Sequence, residues 1–279
     1  MDISNLTSFR SMFNLIEDMT SIQFSPLFNT ENITDMTSMF ASTKSLTSID
    51  ISNFNTEKVK STYYMFSFMS NLKSIDISHF KMENLIVSSS MFTYCKNLTS
   101  IKLPTFNSEN LLEAKDMFYE CKKLKSVDLS NFNASNLINI NSMFSYCYSL
   151  EYVNFTGFKA PKLESMFYVF GGCHSLKSVD LSSFISKGII LSLSNMFYDC
   201  TSLTYLNLCN INPKNSYSLS SIIGLCPNLT YIDISSFEGK FNSSKPNELP
   251  PNGTIVIKSE YLKLIRKEIP EGWLIKLAD

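Results

Sequence analysis

Hydrophobic residues recur at a fixed interval along the chain of 279 residues, and polar residues fill the positions between them. A Met-Phe pair returns every 26 or 27 residues, and Val169-Phe170 and Ile222-Ile223 continue the series in phase. The nine pairs, termed anchors below, begin at Met12, Met39, Met65, Met91, Met117, Met143, Val169, Met196 and Ile222. A period of this length predicts a solenoid in which coils of about 26 residues stack on one another.

A second pattern, Leu-x-x-Leu-x-Leu, opens seven residues after each anchor. After Met117 it is formed by Leu124, Val127 and Leu129, and Phe132 follows as a further apolar position. The alternation at the end of this pattern predicts a short β-strand whose alternate residues are buried. Because one such strand cannot bury its face alone, consecutive coils should pair in parallel, about 4.8 Å apart.

The remaining segments of each coil predict turns. The anchor segment, such as residues 141–144, is too short for a long helix and predicts a helical or 3₁₀ turn. Residues 132–137 read Phe-Asn-Ala-Ser-Asn-Leu and predict a turn, since Asn and Ser side chains hydrogen-bond their own backbone. The predicted fold is therefore a leucine-rich-repeat solenoid with one short parallel strand per coil.

The two ends of the chain depart from the period. We expect residues 1–240 to form the solenoid of about nine coils and residues 241–279 to form a linker and a C-terminal cap. The cap is predicted to be a small α/β unit, with a strand at 254–258 and a helix whose N-cap is Ser259. Residues 6–13 align with the middle of the next coil, so further coils or a partner are expected at an open N-terminal end.

One coil in particular carries a family resemblance. The run Met-Phe-x-x-Cys-x-x-Leu-x-x-Val-Asp-Leu-Ser-x-Phe-Asn, from Met117 to Asn133, resembles the BspA-like leucine-rich-repeat surface proteins. Many coils meet the pattern, over roughly residues 1–240. The resemblance implies a surface or adhesive role and a location at the cell surface or outside the cell. No signal peptide is recognisable in this chain, which leaves open a cytoplasmic location and a function as a structural scaffold or spacer.

Composition and charge argue against nucleic acid and membrane as partners. Hydrophobic residues make up 44% of the chain and charged residues 18%, which indicates a globular protein. The formal net charge is -1, from 24 basic and 25 acidic residues, so no basic face for nucleic acid is expected. No apolar run approaches the roughly 18 residues that cross a bilayer, so we expect no membrane insertion.

Six of the seven cysteines lie four residues after an anchor and should form one column in the stack. A metal stripe or a disulfide ladder would use such a column. We favour a buried core role, because metal sites need paired ligands and other coils place Ile16, Thr43 or Met69 there. Cys209 lies outside the column and is expected to be the most reactive thiol.

Candidate catalytic groups are sparse. The two histidines, His79 and His174, lie nearly four coils apart, which corresponds to about 18 Å. They cannot share a metal ion or a catalytic triad, and no Gly-rich phosphate loop is present among the eight glycines. The sequence therefore predicts a protein that is not an enzyme and uses neither a metal nor a cofactor.

The outward side chains of the strands are the best candidates for binding a partner. The third and fifth positions of each Leu-x-x-Leu-x-Leu pattern face away from the core and carry mostly Ser, Tyr and Asp. The proposed binding residues are Tyr152, Tyr205, Tyr231, Asp128, Asp180 and Asp233, facing a protein or carbohydrate partner. The simpler interpretation is a solvated face whose Ser and Asp serve solubility and turn geometry. Cations bridging the Asp column are a weaker alternative.

Overall fold

Consecutive coils pair through short parallel strands in the computed structural model, as the alternating pattern predicts. It describes residues 5–130, 132–184, 190–213, 219–237 and 249–278. The coil strands are β1 (Ser74–Asp76), β2 (Ser100–Lys102), β3 (Ser126–Asp128), β4 (Tyr152–Asn154), β5 (Ser178–Asp180), β6 (Tyr205–Asn207) and β7 (Tyr231–Asp233). Within the described residues they form three groups of hydrogen-bonded strands, β1 with β2, β3 with β4, and β5 with β6 and β7. Paired strands match position for position, so Ser126 lies beside Tyr152 and Val127 beside Val153. The middle residue of each strand is buried or nearly so, which leaves its two neighbours to face outward.

The anchor segments form hydrogen-bonded turns and, within the described residues, only one of them contains a helix, α1 (Leu219–Ile223). The expectation of helical or 3₁₀ turns was therefore wrong for the other coils. Non-glycine residues with positive φ flank the anchors, such as Ser142 (53°) and Tyr146 (59°) around Met143. These left-handed residues direct backbone amides toward the next coil, and the Phe118 amide donates to the Met143 carbonyl at 2.9 Å. A helix would have used those amides internally.

Phenylalanine rings build the centre of the core. Within the anchors, seven rings stack from coil to coil, with centroids 5.3–5.7 Å apart and interplanar angles of 2–9°. They are Phe40, Phe66, Phe92, Phe118, Phe144, Phe170 and Phe197. Six cysteines form the predicted buried column beside them, and Thr43 and Met69 are buried in the coils without cysteine. Ile16, expected in the core, is 44% exposed, because no described coil packs on the outer side of the first one.

The C-terminal segment extends the sheet. Its strands are β8 (Asn252–Ile257), which pairs in parallel with β7, and β9 (Gly272–Leu277), which pairs with β8. Between them lies α2 (Ser259–Ile265), whose N-cap is Lys258 and not the expected Ser259. The Lys258 side chain makes no capping hydrogen bond, and Ser259 is already helical. The predicted domain boundary at residue 240 falls in 238–248, outside the described residues.

No helix in the described part of the chain combines the length and apolar character that crossing a membrane requires.

Candidate functional site

The aspartates of the strand face shape the turns that follow their strands. Oδ1 of Asp128 accepts a hydrogen bond from the Ser130 amide at 2.8 Å. Asp180 and Asp233 repeat this bond with the amides two residues further on, at 2.8 and 2.9 Å. One carboxylate oxygen of each aspartate therefore supports turn geometry, as the simpler interpretation of this face supposes.

Two of the three predicted tyrosines meet on the strand face. Tyr205 on β6 and Tyr231 on β7 are register partners, and their rings stack with centroids 4.7 Å apart and planes 7° apart. Tyr152 on β4 is 52% exposed and is separated from Tyr205 by β5, which carries Ser178 at the equivalent position. The predicted set is therefore split, with Tyr152 and Asp128 nearer the middle of the solenoid.

Charged and polarisable groups surround the stacked pair. Burial raises the pKa of Tyr231, and the Asp233 carboxylate and the neighbouring Tyr205 raise that pKa further. Burial also raises the pKa of the Cys209 thiol, with additional effects from Asp233 and Asp180. These five residues thus lie within electrostatic reach of one another, and they are termed the C-terminal strand patch below. Cys209, which the sequence predicts to be the most reactive thiol, also belongs to this patch.

The two histidines lie in separate surroundings. His79 Nε2 is 3.0 Å from the Ile51 carbonyl oxygen. His174 Nε2 is 2.9 Å from Asp199 Oδ2, and its ring stacks on Tyr148 at 4.9 Å. Within the described ranges, no three His, Cys, Asp or Glu side chains are grouped as metal ligands would be.

An aromatic surface beside the anchor turns was missed from the sequence. Six rings, one from each of six consecutive coils, form a continuous chain with centroid separations of 4.8–6.3 Å. They are Phe68, Tyr94, Tyr119, Tyr146, Tyr168 and Tyr198, and together they are termed the tyrosine face. Seven of the thirteen tyrosines lie within three residues of an anchor, and this clustering was the available signal.

Comparison with protein families gives matches across the coils. The family described as "Mycoplasma protein of unknown function, DUF285" matches residues 7–127 and again residues 112–237. No curated protein matches the sequence.

Solved structures of leucine-rich-repeat proteins show a low level of similarity. The Drosophila Toll–Spatzle complex aligns at 14% identity over 96% of this chain and 36% of that chain, with a TM-score of 0.45. An internalin from Listeria monocytogenes aligns at 13% identity over 84% and 83% of the two chains, with a TM-score of 0.28. A leucine-rich cell surface protein from Faecalibacterium prausnitzii aligns at 14% identity over 84% and 77%, with a TM-score of 0.27. The present chain thus spans about a third of the length of the Toll-complex chain.

Proposed function

The chain belongs to the family described as "Mycoplasma protein of unknown function, DUF285", and we propose that it is a non-catalytic binding module. In this proposal it acts at the cell surface or outside the cell, and its C-terminal strand patch contacts a protein or carbohydrate partner. The stack of coils supplies a rigid support for the patch, since β6 and β7 are each paired with a strand on both sides. No catalytic role is proposed for either histidine.

The stacked pair of Tyr205 and Tyr231 is the observation that carries this proposal. Both rings are held by the register of β6 and β7, so little side-chain freedom remains to be lost when a partner binds. Tyrosine also combines a large apolar ring with a hydroxyl, and it is enriched in the energetically important centres of interfaces. Asp180 and Asp233 add negative charge beside the pair, which would favour donor groups on the partner.

A scaffold or spacer function is the competing proposal. It is favoured by the hydrogen bonds from the backbone to Asp128, Asp180 and Asp233, because these explain the acidic column by folding alone. In that case the strand face would only keep the solenoid soluble.

Attachment of the labelled chain to cultured epithelial cells and to immobilised extracellular matrix separates the two functions. Replacing both stacked rings (Y205S with Y231S) should weaken attachment at least about tenfold, since interface tyrosines often contribute that much each. The matched control is Y152S, which removes an exposed tyrosine from the equivalent strand position of another coil, outside the C-terminal strand patch.

If the double variant attaches as well as the wild type, the proposal that this patch binds a partner is rejected, and the scaffold function is favoured. Equal losses in Y152S and in the double variant would also reject it, because they would indicate a general effect of surface tyrosines. Circular dichroism spectra should be the same for all three proteins, since these side chains lie outside the core.

A further inference from the structure

The tyrosine face contains a shallow pocket of about 250 Å³. Its walls come from three neighbouring coils, so it exists only because the coils stack. The residues that line it include Tyr64, Phe68, Ser90, Tyr94, Asp116 and Tyr119. Its volume lies just below the roughly 300–1,000 Å³ of sites for drug-sized ligands, which suits a single small ring.

The aromatic residues on this face occupy backbone positions that do not favour them. Tyr64, Phe68 and Tyr94 have φ values of 55°, 59° and 60°, in the left-handed region where bulky side chains are uncommon. Ser38 and Ser42 fill the same two positions in another coil, with φ of 54° and 61°. Since serine meets the requirements of the turn, the turn itself does not require aromatic rings at these positions. The rings of Phe68 and Tyr94 contact those of the neighbouring coils and form an aromatic surface beside the turns.

Two adjacent glycines make room for rings in the middle of the tyrosine face. A Cβ atom on Gly171 would lie closer than van der Waals contact to three consecutive carbons of the Tyr168 ring, Cδ1, Cε1 and Cζ, at nearly equal distances. That ring therefore lies flat over the glycine backbone. A Cβ on Gly172, where φ is +74°, would likewise collide with the Tyr146 ring at 2.7 Å. The two hydroxyls are 3.1 Å apart and the ring planes are tilted by 55°, so the rings adjoin at an angle.

Asp116 supplies a polar group inside the aromatic pocket. Over the described ranges, no hydrogen bond or ion pair is made to its carboxylate, and burial raises its pKa. A half-buried carboxylate of this kind is stabilised by a ligand that donates hydrogen bonds. The pocket therefore pairs ring surfaces with a strong acceptor.

The other acidic groups on the tyrosine face already have partners. Two ion pairs join Glu113 to Lys115 at 3.4 Å and Glu120 to Lys122 at 3.1 Å. Asp199 Oδ2 lies 2.9 Å from His174 Nε2, within hydrogen-bond distance. A surface with little net charge and one carboxylate outside these pairs does not attract an anionic polymer, and it gives a cationic peptide a single counter-charge.

We propose that the tyrosine face binds a neutral carbohydrate chain, with one pyranose ring in the pocket around Asp116 and further rings over Tyr146 and Tyr168. A pyranose has an apolar C–H face that packs on aromatic rings, and its hydroxyls donate to a carboxylate. A proline-rich peptide also packs on aromatic rings, but its prolines have no N–H to donate. This site is separate from the C-terminal strand patch and does not depend on it.

Titration of the full chain with neutral hexasaccharides tests the proposal. The ligands are cellohexaose, chitohexaose, xylohexaose and mannohexaose, and binding is followed by the heat released or by tyrosine fluorescence. At least one should bind saturably, and D116N and Y94S should each weaken that binding about tenfold or more. Asparagine tolerates positive φ, so D116N preserves the turn while removing the charge. The matched control D50N, at an exposed aspartate whose Oδ1 accepts the Ser52 amide at 3.0 Å, should bind like the wild type.

Failure of all four sugars to bind would overturn the proposal. Sugar binding that stays intact in D116N and Y94S would also overturn it. The same holds if a decaproline peptide or a heparin hexasaccharide binds in place of the sugars and D116N weakens that binding. The Y205S and Y231S double variant should keep full sugar binding. If that variant loses cell attachment but still binds the sugar, the two proposals are separated, because the strand patch and the tyrosine face then act independently.

Discussion

The thiol of Cys147 donates a hydrogen bond to the carbonyl oxygen of Phe118, one coil earlier, at 3.0 Å. All six cysteines of the buried column repeat this bond, at 3.0–3.1 Å, to the anchor phenylalanine of the preceding coil. The column thus holds neighbouring coils together through thiols that remain free. A disulfide ladder would have required the sulfurs to bond to one another.

Removing one thiol should loosen the stack slightly. C147A loses a hydrogen bond and leaves a small cavity, so we expect a loss of about 1–2 kcal/mol in the free energy of unfolding. C147T should lose less, because Thr43 occupies the equivalent buried position and its hydroxyl donates to the Phe40 carbonyl of its own coil at 2.8 Å, so a buried threonine hydroxyl is satisfied there. Urea denaturation measures both values. A C147A protein as stable as the wild type would show that the bond contributes nothing.

The phenylalanine column should contribute much more per residue. The Phe144 ring is fully buried between Phe118 and Phe170, at centroid distances of 5.4 and 5.5 Å. We expect F144A to lower the free energy of unfolding by about 3–5 kcal/mol. F167A, in which the removed ring is 40% exposed, should cost less than about 1 kcal/mol and is the control. Similar urea midpoints for the two variants would contradict the stacked core.

Cys209 should be the first thiol to react in the folded protein. It is the one cysteine of the seven that is not buried, whereas burial raises the pKa of Cys95 to about 12. The Cys209 pKa is itself raised, by burial first and then by Asp233, so alkylation should be slow at neutral pH and quicken as pH rises toward that value.

Removing the Asp233 charge tests its contribution to the raised pKa of Cys209. D233N should lower the Cys209 pKa and raise its iodoacetamide alkylation rate at pH 8 about twofold or more. Asn207 already accepts the amide of Cys209 at 3.0 Å in a neighbouring coil, so asparagine can keep the turn. Peptide mass spectrometry locates the label. Label spread over the buried column, or a slower reaction in D233N, would refute the expectation.

The coil architecture could be predicted because it depends on burial alone. Within β3, Ser126 and Asp128 face outward and Val127 is buried, as their positions in the repeat require. The stacking of Tyr205 on Tyr231 also follows from the repeat, since the two residues occupy equivalent positions in consecutive coils. A fixed period therefore determines both which residues are buried and which are neighbours across coils.

The anchor turns could not be predicted in the same way. A buried Met-Phe pair fits a helical turn and a left-handed turn equally well, and only the second places Tyr146 and Tyr168 on a common surface. The direction of a tyrosine side chain depends on the backbone φ at its own residue, which hydrophobic spacing does not specify. The start of α2 also differs by one residue from the prediction, because Ser259 is the first helical residue and Lys258 is the N-cap.

The coil-to-coil hydrogen bonds have a mechanical consequence. Over the described part of residues 5–237, backbone hydrogen bonds between coils join immediate neighbours, so a force that pulls the ends of the coil stack apart is carried by those contacts in series. A stretched molecule would then unwind from an end, one coil at a time. Each step would release about 26 residues, or roughly 90 Å of extended chain. Under tension the protein would extend in steps of nearly equal length, and it would absorb repeated loads without unfolding completely at once.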